Sequence, residues 1–250
     1  EQLGILALFS SAVPFFMSTV VVRCVQIAVA SLPPSFHVFS RFLLGWFVIT
    51  LILLWKRQLP RPRALHWIGV RAFSNMFAVL FFYQCIVATS VAEANILNMT
   101  YPMFIVAFSW LGFGRSDRLA SWLTVLAFTG VILVMFPADM QWRIGNLWGL
   151  ASGFTAAFAI ISLNRARQHN DTDTLLFCVF GLGILLTGVL FGRDFFWPNH
   201  EELLFLFGSA ALSVIGQYGL TLGFLYVTPV EGSVISSTRI LLAAFLGPFL

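Results

Sequence analysis

Arg239 stands about nine residues into an apolar run, 230–250, and no acidic residue lies at comparable depth in any other apolar run of the chain. At 1.5 Å per residue that is roughly 13 Å from the start of the run. A charged side chain at such a depth in a bilayer costs about 2.5–3.5 kcal/mol, so its presence needs a reason. A guanidinium facing a cavity holds a carboxylate or phosphate bidentately. The competing account is a structural arginine, satisfied by backbone carbonyls or by a carboxylate in a further span. Arg41, about six residues into the run 35–55, offers the same chemistry, with snorkelling to lipid headgroups as its alternative. Arg71 falls near the start of a run and reads as an interfacial anchor.

Neutral polar residues recur at helical spacing in four runs. Asn95, Asn98 and Tyr101 are at i, i+3 and i+6, followed by Pro102. That spacing shares one helical face, and the proline leaves a backbone carbonyl unpaired and can kink the helix. Ser213, Gln217 and Thr221 form a second stripe, Ser233, Ser236 and Ser237 a third below Arg239, and Ser74, Asn75, Tyr83 and Gln84 mark another run. Each alone reads as interhelical packing glue. Together they predict a lined cavity with Arg239, Asn98, Asn95, Tyr101, Gln217, Asn75, Ser236 and Arg41 as candidate binding residues. Glu93 and Glu231 are expected at helix starts, where carboxylates are favoured.

Other chemistry has no residues to carry it. The sequence contains no GxxxxGK[ST], HExxH or GxSxG motif. His37, His66, His169 and His200 fall in or beside loops and form no ligand cluster, so no metal or cofactor is expected. Cys24, Cys85 and Cys178 are widely spaced in apolar stretches and read as small buried hydrophobes. Met and Phe stripes read as lipid-facing or core.

The elements that must position these residues are apolar spans. The chain has 250 residues, of which 59% are hydrophobic and 10% charged, with a mean hydropathy of +0.92. A soluble domain carries about 25% charged residues and cannot hide so much apolar surface from water. The fold class is all-α and polytopic. Nine segments are near the roughly 20 residues a spanning helix needs: 3–22, 35–55, 67–88, 90–111, 119–136, 144–163, 175–191, 203–227 and 230–250. Lys56, Arg57, Arg61 and Arg63, then Arg115 and Arg118, then Arg165 and Arg167 enrich alternate connections. The positive-inside rule makes these cytoplasmic, with a cytoplasmic N-terminus. Trp55, Trp67, Trp142 and Trp197 fall at the expected interfaces. The net charge of +4 is carried by short loops and calls for no nucleic acid.

The chain also repeats itself. TSVAEANILN from Thr89 aligns with TPVEGSVISS from Thr228 at an offset of 139, and LGILALFSS from Leu3 resembles IGNLWGLAS from Ile144 at an offset of 141. Five spans per unit would insert the second unit upside down, and inverted repeats with a midplane site mark secondary transporters. The expected units are 1–138 and 139–250. Both ends read as trimmed, so the second unit is expected to lack its tenth span.

Three stretches carry a family resemblance. LPPSFHVFSRFLLG (32–45), FFYQCIVATSVAEANILNMTYPMFIVAFSWL (81–111) and GQYGLTLGFLYVTPVEGSVISSTRILLAAFLG (216–247) resemble the second-span, third-to-fourth-span and eighth-to-ninth-span signatures of EamA-type carriers in the drug/metabolite transporter superfamily. The resemblance puts Arg41 on an arginine often found there, and Arg239 on a position that is arginine in some subgroups. Residues 112–115 read GFGR, where the family often has a Gly-Glu pair. The resemblance implies an inner-membrane carrier working by alternating access. Members export amino acids and related metabolites or import compounds such as S-adenosylmethionine. The expectation is therefore a secondary transporter, not an enzyme, for a small polar metabolite that is amino-acid-like or otherwise carboxylate-bearing. Its other partner is the lipid bilayer, and a homodimer is compatible with the sequence. With no deep acid or histidine relay legible, facilitated diffusion or exchange is favoured over proton drive. The alternatives are a membrane-embedded enzyme on a lipid-linked substrate, and a channel or scaffold.

Overall fold

The computed structural model describes residues 2–28, 32–111 and 144–239, with the isolated positions Trp122, Val125, Leu126 and Thr129. The helices are α1 (Gln2–Ala28), α2 (Pro34–Trp55), α3 (Leu65–Ala88), α4 (Val91–Asn98), α5 (Tyr101–Trp110), α6 (Ile144–Arg167), α7 (Thr172–Phe191), α8 (His200–Gly223) and α9 (Pro229–Ser236). No strand occurs among the described residues. Among the described residues seven stretches are long and apolar enough to cross a membrane: six single helices and the α4–α5 pair, Val91–Trp110. The span expected at 119–136 and most of that at 230–250 lie outside the described residues, as do Arg115 and Arg118.

The helix ends follow local chemistry. Pro34 opens α2, where a missing N–H costs nothing. Asn199 caps α8 and Glu202 reaches back to the Asn199 amide at 2.7 Å, so the helix starts at His200, inside the stretch read as loop. Large apolar side chains are bare on the outer surface, with Leu54, Leu185 and Val189 at 67%, 64% and 84% exposure. In water such a surface would aggregate; against lipid it is matched.

The interior is built from interlocked pairs. α1 runs along α8, and α3 along α6, while α2 packs between α7 and α8. Close approach depends on glycine. A Cβ on Gly4 would sit 2.7 Å from Tyr226 Cβ beyond the end of α8, and one on Gly145 would sit 2.7 Å from Ala88 Cβ at the end of α3. These two glycines are 141 residues apart, matching the offset read at the N-terminal ends of the units.

One end of the bundle is clasped by polar groups. Lys56 Nζ donates to Asp173 Oδ2 at 2.6 Å, and the Tyr218 hydroxyl donates to Asp173 Oδ1 at 3.0 Å. The hydrogen bond to Asp173 raises the Lys56 ammonium above the ordinary lysine value, against the opposing effect of burial. Asn170 exchanges bonds with the backbone of Arg63, at 2.7 Å and 2.9 Å, joining the α2–α3 connection to the α6–α7 turn.

Candidate binding cavity between two broken helices

The site is organised by helix breaks. α4 ends at Asn98, the chain turns at Met99 and Thr100, and α5 resumes at Tyr101. Pro102 cannot supply the N–H that would bond to the Asn98 carbonyl, and the Thr100 hydroxyl donates to Leu97 O at 2.7 Å. The break falls in the middle of a 20-residue span. α9 repeats the design: eight residues, a turn at Ser237 and Thr238, and Thr238 donating to Ile235 O at 2.8 Å. Ser90 caps α4 through the Glu93 amide, and Thr228 caps α9 through the Glu231 amide. By their caps the two helices pair at an offset of 138, one residue from the ungapped alignment of the sequence. Thr89 is not the cap because its hydroxyl closes α3, donating to Cys85 O at 2.7 Å. Pairing the caps sets Glu93 against Glu231 and Tyr101 against Arg239.

Between these breaks and helices α1, α2, α3, α6 and α8 is a polar-lined cavity of about 110 Å³. That is room for several waters or one small charged group, well below the 300–1,000 Å³ of a pocket enclosing a drug-sized ligand. Its lining includes seven of the eight candidate residues: Arg41, Asn75, Asn98, Tyr101, Gln217, Ser236 and Arg239. Asn95 is not among the lining residues. It is fully buried, and its amide donates back to Val91 O at 2.8 Å, a local bond that satisfies its donor within the helix.

Two guanidiniums are fixed by amides. Arg239 Nη2 donates to Asn98 Oδ1 at 2.8 Å, while Asn98 Nδ2 donates to Ser152 Oγ at 2.6 Å. Ser152 in turn donates to Ala78 O at 2.7 Å, so α3 and α6 hold the amide that orients Arg239. Arg41 Nη2 donates to Gln217 Oε1 at 2.8 Å. Snorkelling therefore does not describe Arg41, which is 6% exposed. The Tyr101 hydroxyl donates to the Ser233 carbonyl at 3.4 Å. Among the described residues Asn75 Nδ2, Ser236 Oγ and the Nε atoms of Arg41 and Arg239 are buried without a hydrogen-bond partner.

Three contributors were not read from the sequence. Arg71 is 2% exposed and lines the cavity instead of anchoring at an interface, because α3 turns it inward. Phe15 lies 5.6 Å from the Arg41 guanidinium and 5.7 Å from that of Arg239, and Phe82 lies 5.5 Å from the latter. These rings supply cation–π attraction. Phe15 is one of 28 phenylalanines, and nothing in its sequence context separates it from lipid-facing ones.

The electrostatic balance is one-sided. Among the described residues three arginines line the cavity and no aspartate or glutamate does. Amide oxygens and aromatic faces offset part of the desolvation cost, but no carboxylate neutralises the charge. Such a cavity attracts an anion.

Comparison with known proteins agrees with this architecture. Residues 2–136 match the model of the EamA-like transporter family. The chain is 25% identical to the Pseudopaline exporter CntI of Pseudomonas aeruginosa over 212 residues, covering 84% of this chain and 75% of that protein. It is also 25% identical to an uncharacterized transporter of Archaeoglobus fulgidus over 171 residues, 64% of this chain and 58% of that one. A crystal structure of an 18% identical protein superposes with a TM-score of 0.63, covering 96% of this chain and 90% of the other, and supports the fold. The names are those of transporters, in line with a membrane carrier of a small molecule. The chain belongs to the EamA-like transporter family.

Proposed function

We propose that this protein is a secondary transporter that carries a small polar metabolite through its anionic group, a carboxylate by preference, by alternating access. The observation that carries the reading is the cavity itself: three buried arginines, amides orienting two of them, and no acid among the described lining residues. A cavity of about 110 Å³ fits the charged head of such a metabolite, not a large apolar drug. Arg239 and Arg41 are the anchors, with Asn98, Gln217, Tyr101, Asn75 and Ser236 supplying neutral hydrogen bonds.

Alternating access by two inverted five-span units, 1–138 and 139–250, is supported by paired features. α1 packs on α8 as α6 packs on α3, and α1 meets α9 as α6 meets α4. Exchanging the units maps each pair onto the other, which is the relation a rocking mechanism uses. The charge bias favours an inner-membrane protein with a cytoplasmic N-terminus. The name of the Pseudomonas relative favours export.

The test is counterflow in proteoliposomes with labelled C2–C6 carboxylates, amino acids and their methyl esters. The acids are expected to exchange and the esters to fail, and Arg239→Gln is expected to abolish exchange of the acids. Equal exchange of acids and esters, or an unaffected Arg239→Gln, would refute the anionic-substrate reading.

A further inference from the structure

His37 has no part in that reading and does not line the cavity, yet its ring packs on Tyr83, which does. It lies in the first turn of α2, four residues before Arg41, and is 1% exposed. Both of its ring nitrogens are buried with no hydrogen-bond partner among the described residues. Buried polar nitrogens left without partners are uncommon and costly, which marks the position as more than packing. The ring meets Tyr83 edge-on, with centroids 5.9 Å apart and planes at 72°. Tyr83 lines the cavity together with Arg41. The imidazole is therefore one aromatic ring away from the anion cavity, on the helix that delivers one of its guanidiniums.

We propose that His37 is a proton-binding site coupled to the cavity: it takes up a proton when an anion enters and releases it when the anion leaves. The proposal rests on the anionic-substrate reading. A further positive charge one helical turn from Arg41, and one ring from the cavity that Arg71 and Arg239 also line, is unfavourable while the cavity holds no anion, and an anion reverses that balance. The proton comes from water on the side to which the cavity is open. It binds a ring nitrogen whose lone pair is free, forming an imidazolium, and no other bond changes. Coupling of this kind is reciprocal, so protonation must tighten anion binding by the factor by which the anion favours protonation.

The other titratable and charged groups at this end of the bundle lie on neighbouring elements, and among the described residues Glu93 Oε2 is likewise buried without a hydrogen-bond partner. On α3 these are Tyr83 and Cys85, the thiol lying 3.5 Å from Thr89 Oγ1. On α1 Arg23 donates to Ile86 O at 3.1 Å. Glu93 lies in the first turn of α4, and His200, Glu201 and Glu202 in the first turn of α8, with Glu202 holding the Asn199 amide. Arg193 lies in the turn after α7, whose Asp173 is at the opposite end with Lys56. Among the described residues none of these is hydrogen-bonded to the His37 ring.

The experiment is calorimetric binding of sulfate, which keeps its charge across the range, and of L-glutamate to the purified protein in detergent. It is run from about pH 8 to about pH 6 in two buffers of different ionisation enthalpy, to count protons. Wild type should bind more tightly as pH falls, by at most about tenfold per unit, with net proton uptake. His37→Gln should bind both anions as wild type does at pH 8 and show neither pH dependence nor uptake. Binding to wild type without proton uptake overturns the proposal and needs no variant to fold. PH dependence that survives in His37→Gln also overturns it. Absence of binding by both anions at every pH overturns the anionic-substrate reading, and the coupling with it.

Discussion

The break at Met99–Thr100 and the break at Ser237–Thr238 share one construction and end in different chemistry. Each follows an eight-residue helix with a hydroxyl cap, and each is closed by a threonine hydroxyl bonded to the carbonyl three residues back. At the residue after the turn, one carries Tyr101 and the other Arg239. The first break thus offers the cavity a neutral phenol and the Asn98 amide; the second offers a permanent charge. The two are wired together, because Asn98 orients Arg239 and the Tyr101 hydroxyl reaches the Ser233 carbonyl. Two helices alike in their caps and turns thus bring different side chains to the cavity, which suits a substrate with an anionic end and a neutral polar end.

The largest way to break this comparison is to remove the charge. Arg239→Gln should weaken anion binding by roughly 10²-fold, the equivalent of about 2–3 kcal/mol for a lost charge-assisted bond. Arg239→Lys should recover only part, since a point charge cannot make the bidentate contact. Isothermal binding of the carboxylate selected by counterflow measures both.

Next is the approach that sets each break in place. Gly145→Val would drive a side chain into Ala88 and Thr89, just before α4, and Gly4→Val into Tyr226 in the turn before α9. Each should cost about 1–3 kcal/mol by overpacking, read as a lowered thermal midpoint in detergent. The caps should be weaker and unequal. Thr228→Ala removes a reciprocal box, with Glu231 also bonded to the Thr228 amide at 3.0 Å and hydroxyl at 2.9 Å. Ser90→Ala removes a single bond at 3.2 Å. Both should fall within about 0.5–2 kcal/mol, with Thr228→Ala the larger.

The smallest effect belongs to the clasp remote from both breaks. Lys56 is held above its ordinary value by Asp173, so the stability it contributes is complete below the ordinary lysine value and is lost as pH rises through the raised one. Asp173→Asn should remove that alkaline dependence while leaving anion affinity unchanged. The pH dependence of the melting temperature in the two proteins checks it.

The sequence made the charged core of the site legible because bilayer physics is unforgiving: Arg239, Arg41, Asn98 and Gln217 stand out against apolar runs, and all four line the cavity. The positions of the seven spans found among the described residues were legible for the same reason. The rest depends on direction, which spacing does not fix. Asn95 shares a helical face with Asn98 by counting, but its short amide turns back on its own helix. Arg71 sits near a helix start yet points inward, and His37 sits beside a loop yet is sealed at 1% exposure. Phe15 acquires its role from the two arginines that tertiary packing brings to it. Thr89, which the ungapped alignment sets against Thr228, spends its hydroxyl on the end of α3, and Ser90 caps α4 instead.

The central claim is that Arg239 selects the anionic group and its counterpart Tyr101 does not. The most direct measurement is the affinity ratio between that selected carboxylate and its methyl ester in wild type, Arg239→Gln and Tyr101→Phe. The account predicts a large ratio in wild type, the same ratio with uniformly weaker binding in Tyr101→Phe, and a ratio near one in Arg239→Gln. An undiminished ratio in Arg239→Gln would contradict it.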